Sequence, residues 1–301
     1  MSDTQPDKRG LGGLPIIGDL LDPPPTVAVL RLTGVIGAMG GFRRGLNLAD
    51  QAASIERAFK VRNLKAVALA VNSPGGSPVQ SALIAGRIRQ LADEKEVPVI
   101  SFCEDVAASG GYWLACAGDE IFADASSIVG SIGVVSGGFG LQGLIEKLGV
   151  ERRLHTAGDK KAMLDPFGPE KPAEVKHLKD IQGDIHLAFK DMVRERRGNR
   201  LKGKRKELFS GAFWIGTRAL EMGLIDGIGD LSGVMRDKFG DRVKLKRIDG
   251  RTPLWRRRFG FSAAFGGSPG LAPGLAAAPE DWAASAIAAI EERLIWNRFG
   301  L

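Results

Sequence analysis

Ser109 stands in the stretch Asp105-Val106-Ala107-Ala108-Ser109-Gly110-Gly111-Tyr112-Trp113. On one side is a strand-like run, Val97 to Phe102; on the other are small residues, Ala107 to Ala117, that read as a closely packed helix. A hydroxyl at such a strand-to-helix turn lies near free backbone N–H groups, where the helix N-terminus favours negative charge. Acyl transfer needs that combination of nucleophile and donors. The same residues also fit an ordinary helix start, with Ser109 as N-cap and glycines that let elements pack, and the stretch taken alone favours that cap reading. Another candidate for chemistry is Gly138-Phe139-Gly140-Leu141-Gln142-Gly143, the glycine pattern of a dinucleotide-binding loop. The acidic residue expected about 20 positions further on is missing, with Arg153-Leu154-His155-Thr156 in its place, so these glycines read as a turn and no cofactor is expected.

The elements around Ser109 must hold it in place. Residues 1–25 are rich in Gly, Pro and Asp and read as an N-terminal arm. A core over 26–249 opens with a strand at Val27 to Leu32, a Gly-rich loop from Gly34 to Gly45 and a helix from Asn47 to Val61. The apolar run Ala66 to Val71 follows, as suits a strand buried on both faces. The turn Asn72-Ser73-Pro74-Gly75-Gly76-Ser77 leads to a helix from about Pro78 to Ala92. After the Ser109 turn come short strands at Glu120 to Ala123 and Val129 to Val135, then a helix at about Leu141 to Leu148. A long helix, about Glu170 to Arg196, carries a stripe of Val175, Leu178, Ile181, Ile185, Phe189 and Val193. The stretch Ala219 to Asp226 is a helix end stopped by Gly223, and Val243 to Ile248 is a last strand. Residues 250–279 form a basic, aromatic and Gly/Pro/Ala-rich linker, and 280–301 a C-terminal amphipathic helix. Repeated strand-turn-helix units with buried strands imply an α/β fold with parallel crossovers.

A second segment, Gly158-Asp159-Lys160-Lys161-Ala162-Met163-Leu164-Asp165-Pro166-Phe167, completes a pattern with the Ser73-Pro74-Gly75-Gly76 turn and Ser109. Together they resemble the SppA family of signal peptide peptidases, serine-lysine proteases related in fold to ClpP and the crotonases. Gly130-Ser131-Ile132-Gly133-Val134 and the stretch from Trp214 to Asp226 are similar to the family too, and the likeness spans about Val27 to Arg247. The resemblance implies a ClpP/crotonase-like core of repeated β-β-α units. It makes Ser109 the nucleophile, Lys161 the general base, Ser131 a hydrogen-bonding aid to the lysine, and the N–H groups of Gly75 or Gly76 and of Gly110 the oxyanion hole.

The physics fits those roles. A serine needs a base, and none of His155, His177 and His186 lies in a comparable motif. A lysine serves only as the neutral amine, about one part in 2,500 near pH 7 at an ordinary pKa of about 10.4, so it must be buried. Met163, Leu164 and Phe167 are apolar neighbours that could bury it. Adjacent Lys160 and Lys161 point in opposite directions from an extended segment, and the spacing to Pro166-Phe167 favours Lys161. The resemblance further implies rings in which the serine of one subunit meets the lysine of the next, with unstructured or apolar peptides such as signal-peptide remnants as substrates. Rival readings are a crotonase-type acyl-CoA enzyme and an inactive peptide-binding scaffold.

Composition sets the outer bounds. The chain has 301 residues, 44% hydrophobic and 26% charged, as in ordinary globular proteins. A net charge of +7 permits anionic partners without requiring them. The basic run Arg194 to Lys206 has no interleaved aromatic to stack on bases, so it reads as a solvated face and not a nucleic-acid site. Cys103 and Cys116 lack metal-ligand spacing and read as buried reduced thiols, so no metal is expected. The first ten residues show no secretory pattern and no apolar run approaches the ~18 residues of a membrane span. The expected location is therefore cytoplasmic. The basic and aromatic C-terminal segment and final helix are expected first to dock on the chain's own core or on a neighbouring subunit, with peripheral contact at the inner membrane surface as the alternative.

Overall fold

The computed structural model describes residues 23–37, 45–248 and 293–300. The expected N-terminal arm, except 23–25, and the linker 250–279 lie outside the described residues, as does most of the C-terminal helix. In chain order the elements are β1 (Thr26–Thr33), α1 (Leu48–Ala58), β2 (Leu64–Ser73), α2 (Pro78–Lys95), β3 (Val99–Ala108), α3 (Gly110–Ala115), β4 (Glu120–Ala123) and β5 (Ile128–Gly130). They continue with α4 (Gln142–Lys147), α5 (Pro172–Arg197), a 3-10 turn (Gly198–Arg200), α6 (Arg205–Leu208), β6 (Phe213–Ile215), α7 (Gly216–Glu221), β7 (Gly227–Ile228), α8 (Leu231–Phe239) and β8 (Lys244–Arg247).

The fold is α/β with a mostly parallel sheet, as expected. Strand order is β6-β5-β3-β2-β1-β8, with β4 pairing β3 and β7 pairing β4, and among the described residues only the β5–β6 pair is antiparallel. β2 sits at the centre because Ala66 to Val71 has no polar side chain to leave in water: all six residues are buried. It runs in register between β1 (Val29↔Ala68) and β3 (Ala68↔Ile100). One face of the sheet packs on α1, α2 and α3 through Leu30, Ile55, Leu69, Ile84, Ile88 and Leu114, and the other on α8 through Val29, Ala68, Phe102 and Met235. Each fully buried Leu or Ile of this kind contributes about 1.5–3 kcal/mol. Asn47 and Ser77 cap α1 and α2 with their side-chain oxygens, and α2 ends at Glu96 in a left-handed turn.

Three expectations change. β3 runs on to Ala108, and the helix after it starts only at Gly110. The second half of β3 has its own partner, with Val106↔Ile128 and Ala108↔Gly130 on β5, so it stays extended. The strand expected at 129–135 ends at Gly130 (φ 114°) because Ser131 (φ 54°) turns the chain aside and donates its N–H to the Ala212 carbonyl at 2.7 Å. The basic run is not simply a solvated face either. Arg197 is 1% exposed and holds Asp226 through two hydrogen bonds, 2.7 and 3.0 Å, while Arg196 binds the Cys116 and Gly118 carbonyls and Asp119. Burying the guanidinium is tolerable because every bond it makes is to an acid or a carbonyl.

Candidate active site

Ser109 joins β3 to α3 with φ 53° and ψ −122°, a backbone region that costs a non-glycine residue about 1–3 kcal/mol. Its N–H donates to the Gly130 carbonyl at 2.8 Å and its own carbonyl accepts from Trp113 N–H at 3.1 Å, which hold the turn. The hydroxyl makes no capping bond, so the cap reading does not account for this serine.

The Gly75-Gly76 turn lies against it. A Cβ on Gly75 (φ 106°) would come 2.8 Å from Ser109 Cβ, and one on Gly76 (φ 142°) would come 2.1 Å from the Ile36 carbonyl oxygen, so both positions demand glycine. The two N–H groups differ in use. Gly75 N–H donates to the buried Ser73 hydroxyl at 3.2 Å. Gly110 is the first residue of α3, where an N–H has no acceptor within its helix. Gly110 and Gly76 face each other, since a Cβ on Gly110 would stand 3.4 Å from Gly76 N. Gly111 packs on the Ser73 carbonyl, where a Cβ would fall at 2.3 Å, and this fixes α3 on β2.

A cavity of about 270 Å³ opens at Ser109, lined also by Ser131, Gly133, His186, Gly211 and Arg298. Ser131 is 3% exposed and reaches it through its positive-φ turn. Sequence reasoning passed over His186, because it sits in no motif. Its signal was periodic: it stands three and seven residues before Phe189 and Val193, two of the three buried positions of α5. Its Nε2 lies 3.1 Å from the Ile132 carbonyl oxygen. Burial, with the Lys190 charge, lowers its pKa below the ordinary histidine value against the opposing pull of the Ile132 and Phe209 carbonyls, so the ring is neutral at pH 7. Arg298 had no local signal at all. Cys103 and Cys116 are buried as expected, and burial pushes both thiols up, Cys116 to about 11, which makes neither a nucleophile.

Lys161 does not line this cavity. Every residue from 151 to 161 is exposed, and Lys161 with them, so Met163, Leu164 and Phe167 do not bury the amine within the chain. Lys160 is equally exposed. The projecting stretch from Gly133 onward carries Val135, Phe139, Leu148 and Val150 with more than half of each exposed. Gly138, Gly140 and Gly143 have open space around them and follow no strand, so they build no phosphate cradle. Among the described residues no group of three or more His, Cys, Asp or Glu could hold a metal.

The family model for peptidase family S49 matches residues 92–241, which include Ser109, Ser131, Lys161 and His186. A protein of Brucella abortus (strain 2308) described as "Na(+)/H(+) antiporter NhaA" is 50% identical over 276 residues, 91% of this chain and 37% of that protein. The "Putative signal peptide peptidase SppA" of Enterococcus faecium is 32% identical over 67% of this chain and 60% of its own length. The "Serine protease SPPA, chloroplastic" of Arabidopsis thaliana is 32% identical over 68% of this chain and 30% of its own length. The chain thus spans less than two thirds of each of these relatives.

Proposed function

Since the chain belongs to peptidase family S49, we propose that it is a serine endopeptidase in which Ser109 attacks the peptide carbonyl and Lys161 acts as general base. The observation that carries this reading is the Ser109 turn itself. Its strained backbone carries a hydroxyl with no capping duty, packed against the Gly75-Gly76 turn and followed at once by Gly110, the first residue of α3. The neutral lysine amine takes the proton from Ser109 Oγ as Oγ bonds to the carbonyl carbon. The oxyanion that forms accepts from the Gly76 and Gly110 N–H groups, each such donor being worth about 3 kcal/mol. Collapse breaks the C–N bond, the lysine returns its proton to the leaving amine, and water then cleaves the acyl-serine by the same route. Gly75 supports the turn, since its N–H is committed to Ser73.

The lysine comes from a neighbouring subunit in this reading. Within the chain Lys161 is exposed and apart from the Ser109 cavity, while the segment that carries it displays apolar side chains to solvent. A second copy covering that segment would bury the amine, as the chemistry requires, and would bring it to Ser131. Unstructured or apolar peptides are the proposed substrates. The transport name of the Brucella protein belongs to a chain of which this match is a minor part, and no helix among the described residues is long and apolar enough to cross a membrane.

The test is exposure of the full chain to a fluorophosphonate probe, followed by mass spectrometry. Labelling confined to Ser109 and lost in Lys161→Ala is expected. An unlabelled Ser109 in an intact oligomer would favour the acyl-CoA or scaffold readings.

A further inference from the structure

The last described residues belong to the wall of the nucleophile's cavity. A helical turn at 293–297 leads to Arg298 and Phe299. Phe299 is 7% exposed and packs on Val106, Ala108 and Ile128, the strand ends that hold Ser109. Its ring meets Phe213 of β6 edge to face, centroids 5.1 Å apart. With the phenyl ring docked there, the preceding side chain, Arg298, falls at the cavity beside Ser109, Ser131 and His186. Among the described residues no carboxylate is paired with Arg298, and no acidic residue lines the cavity. The other polar groups there are serine hydroxyls and a neutral imidazole. Among the described residues Arg298 is therefore the fixed charge at the cavity, placed by an aromatic anchor within the same short segment.

We propose that Arg298 is a specificity-determining residue, and that this subsite selects peptides carrying Asp or Glu at one position flanking the scissile bond. A guanidinium presents parallel N–H donors that match a carboxylate, and a substrate acid here would meet no competing carboxylate among the described residues. Arg298 remains open to solvent, so the preference is modest, about two- to fivefold over the matching amide. The proposal rests on the peptidase reading above, with the C-terminal segment as part of the subsite and not a plug in it.

The test digests a synthetic peptide library with the full-length chain, reading residue frequencies around each cleaved bond by mass spectrometry. Wild type should enrich Asp and Glu over Asn and Gln at one position. Arg298→Gln and Phe299→Ala should erase the enrichment, and Arg298→Glu should enrich Lys and Arg at that same position; melting curves identify any variant that fails to fold. Identical preferences in wild type and Arg298→Glu would overturn the proposal. So would a uniform rise in cleavage of all peptides in Phe299→Ala, the mark of a plug. Should wild type cleave nothing, the peptidase reading fails separately, and binding still decides the subsite. Immobilised Ser109→Ala should retain acidic peptides over their amide counterparts, and Ser109→Ala/Arg298→Glu should not; equal retention by both would reject it.

Discussion

Replacing Arg197 by methionine keeps most of the side-chain volume and removes the buried charge that ties α5 to the β7 side of the sheet. Arg197 gives Asp226 hydrogen bonds of 2.7 and 3.0 Å and the Gly223 carbonyl one of 3.0 Å. Breaking a buried pair by deleting one partner costs about 3–5 kcal/mol. Asp226 would keep the Ile121 N–H at 2.7 Å and the half-exposed Arg200 at 3.4 Å, so the loss should sit at the low end, about 3 kcal/mol. At about 2–4 °C per kcal/mol for a domain of this size, the melting temperature should fall by about 6–12 °C. Chemical denaturation of Arg197→Met, Asp226→Asn and the double variant measures the coupling, which should be about 1–3 kcal/mol. Burial alone would push the Asp226 carboxyl up, yet the Arg197 hydrogen bonds and charge, with the Ile121 N–H, hold it below its ordinary value. The pair's stabilisation is then complete above the unfolded value near about 3.9 and is lost as pH falls through the folded value. Asp226→Asn should flatten that part of the acid-unfolding curve. A single-variant loss below about 1 kcal/mol, or strict additivity in the double variant, would refute the claim that this pair organises the α5 junction.

Other outcomes follow from the site. Gly75→Ala should abolish peptide cleavage and lower the melting temperature, since its Cβ would displace Ser109; retained activity would show that the turn yields. The neutral His186 has a lowered folded pKa, so wild type should lose stability relative to His186→Gln as pH drops below about 6.5, with no difference above it. Equal acid profiles would count against that burial. Lys161→Ala should remove cleavage while Lys160→Ala keeps most of it, and equal loss in both would reassign the base.

Much of the scaffold was legible because burial writes itself into composition. The run Ala66 to Val71 has no polar residue and becomes the central strand. Ser109 was legible as the end of a strand and the start of a helix, although the helix begins later than small-residue composition suggested. The length of β3 was not legible, because its second half is held by β5, a partner strand that no local pattern announces. Arg197 lay inside a run of cations whose average character is that of a surface, and only the distant Asp226 makes its burial tolerable. His186 and Arg298 were missed for the same reason: both reach the cavity by tertiary placement, from α5 and from the chain's last residues. Lys161 was proposed from a pattern, and the burial that a lysine base would need is not supplied by the described residues of its own chain.

Sharing of the site between subunits is tested most directly by complementation. Ser109→Ala and Lys161→Ala chains are unfolded, mixed in equal amounts and reassembled, with mixed oligomers confirmed by native mass spectrometry. A shared site takes its serine from one chain and its lysine from the next, so about half times half, or roughly a quarter of wild-type activity, should return, because both members of the dyad must be intact. Sites built within single chains would always lack one member, and a mixture as inactive as either parent would contradict the account.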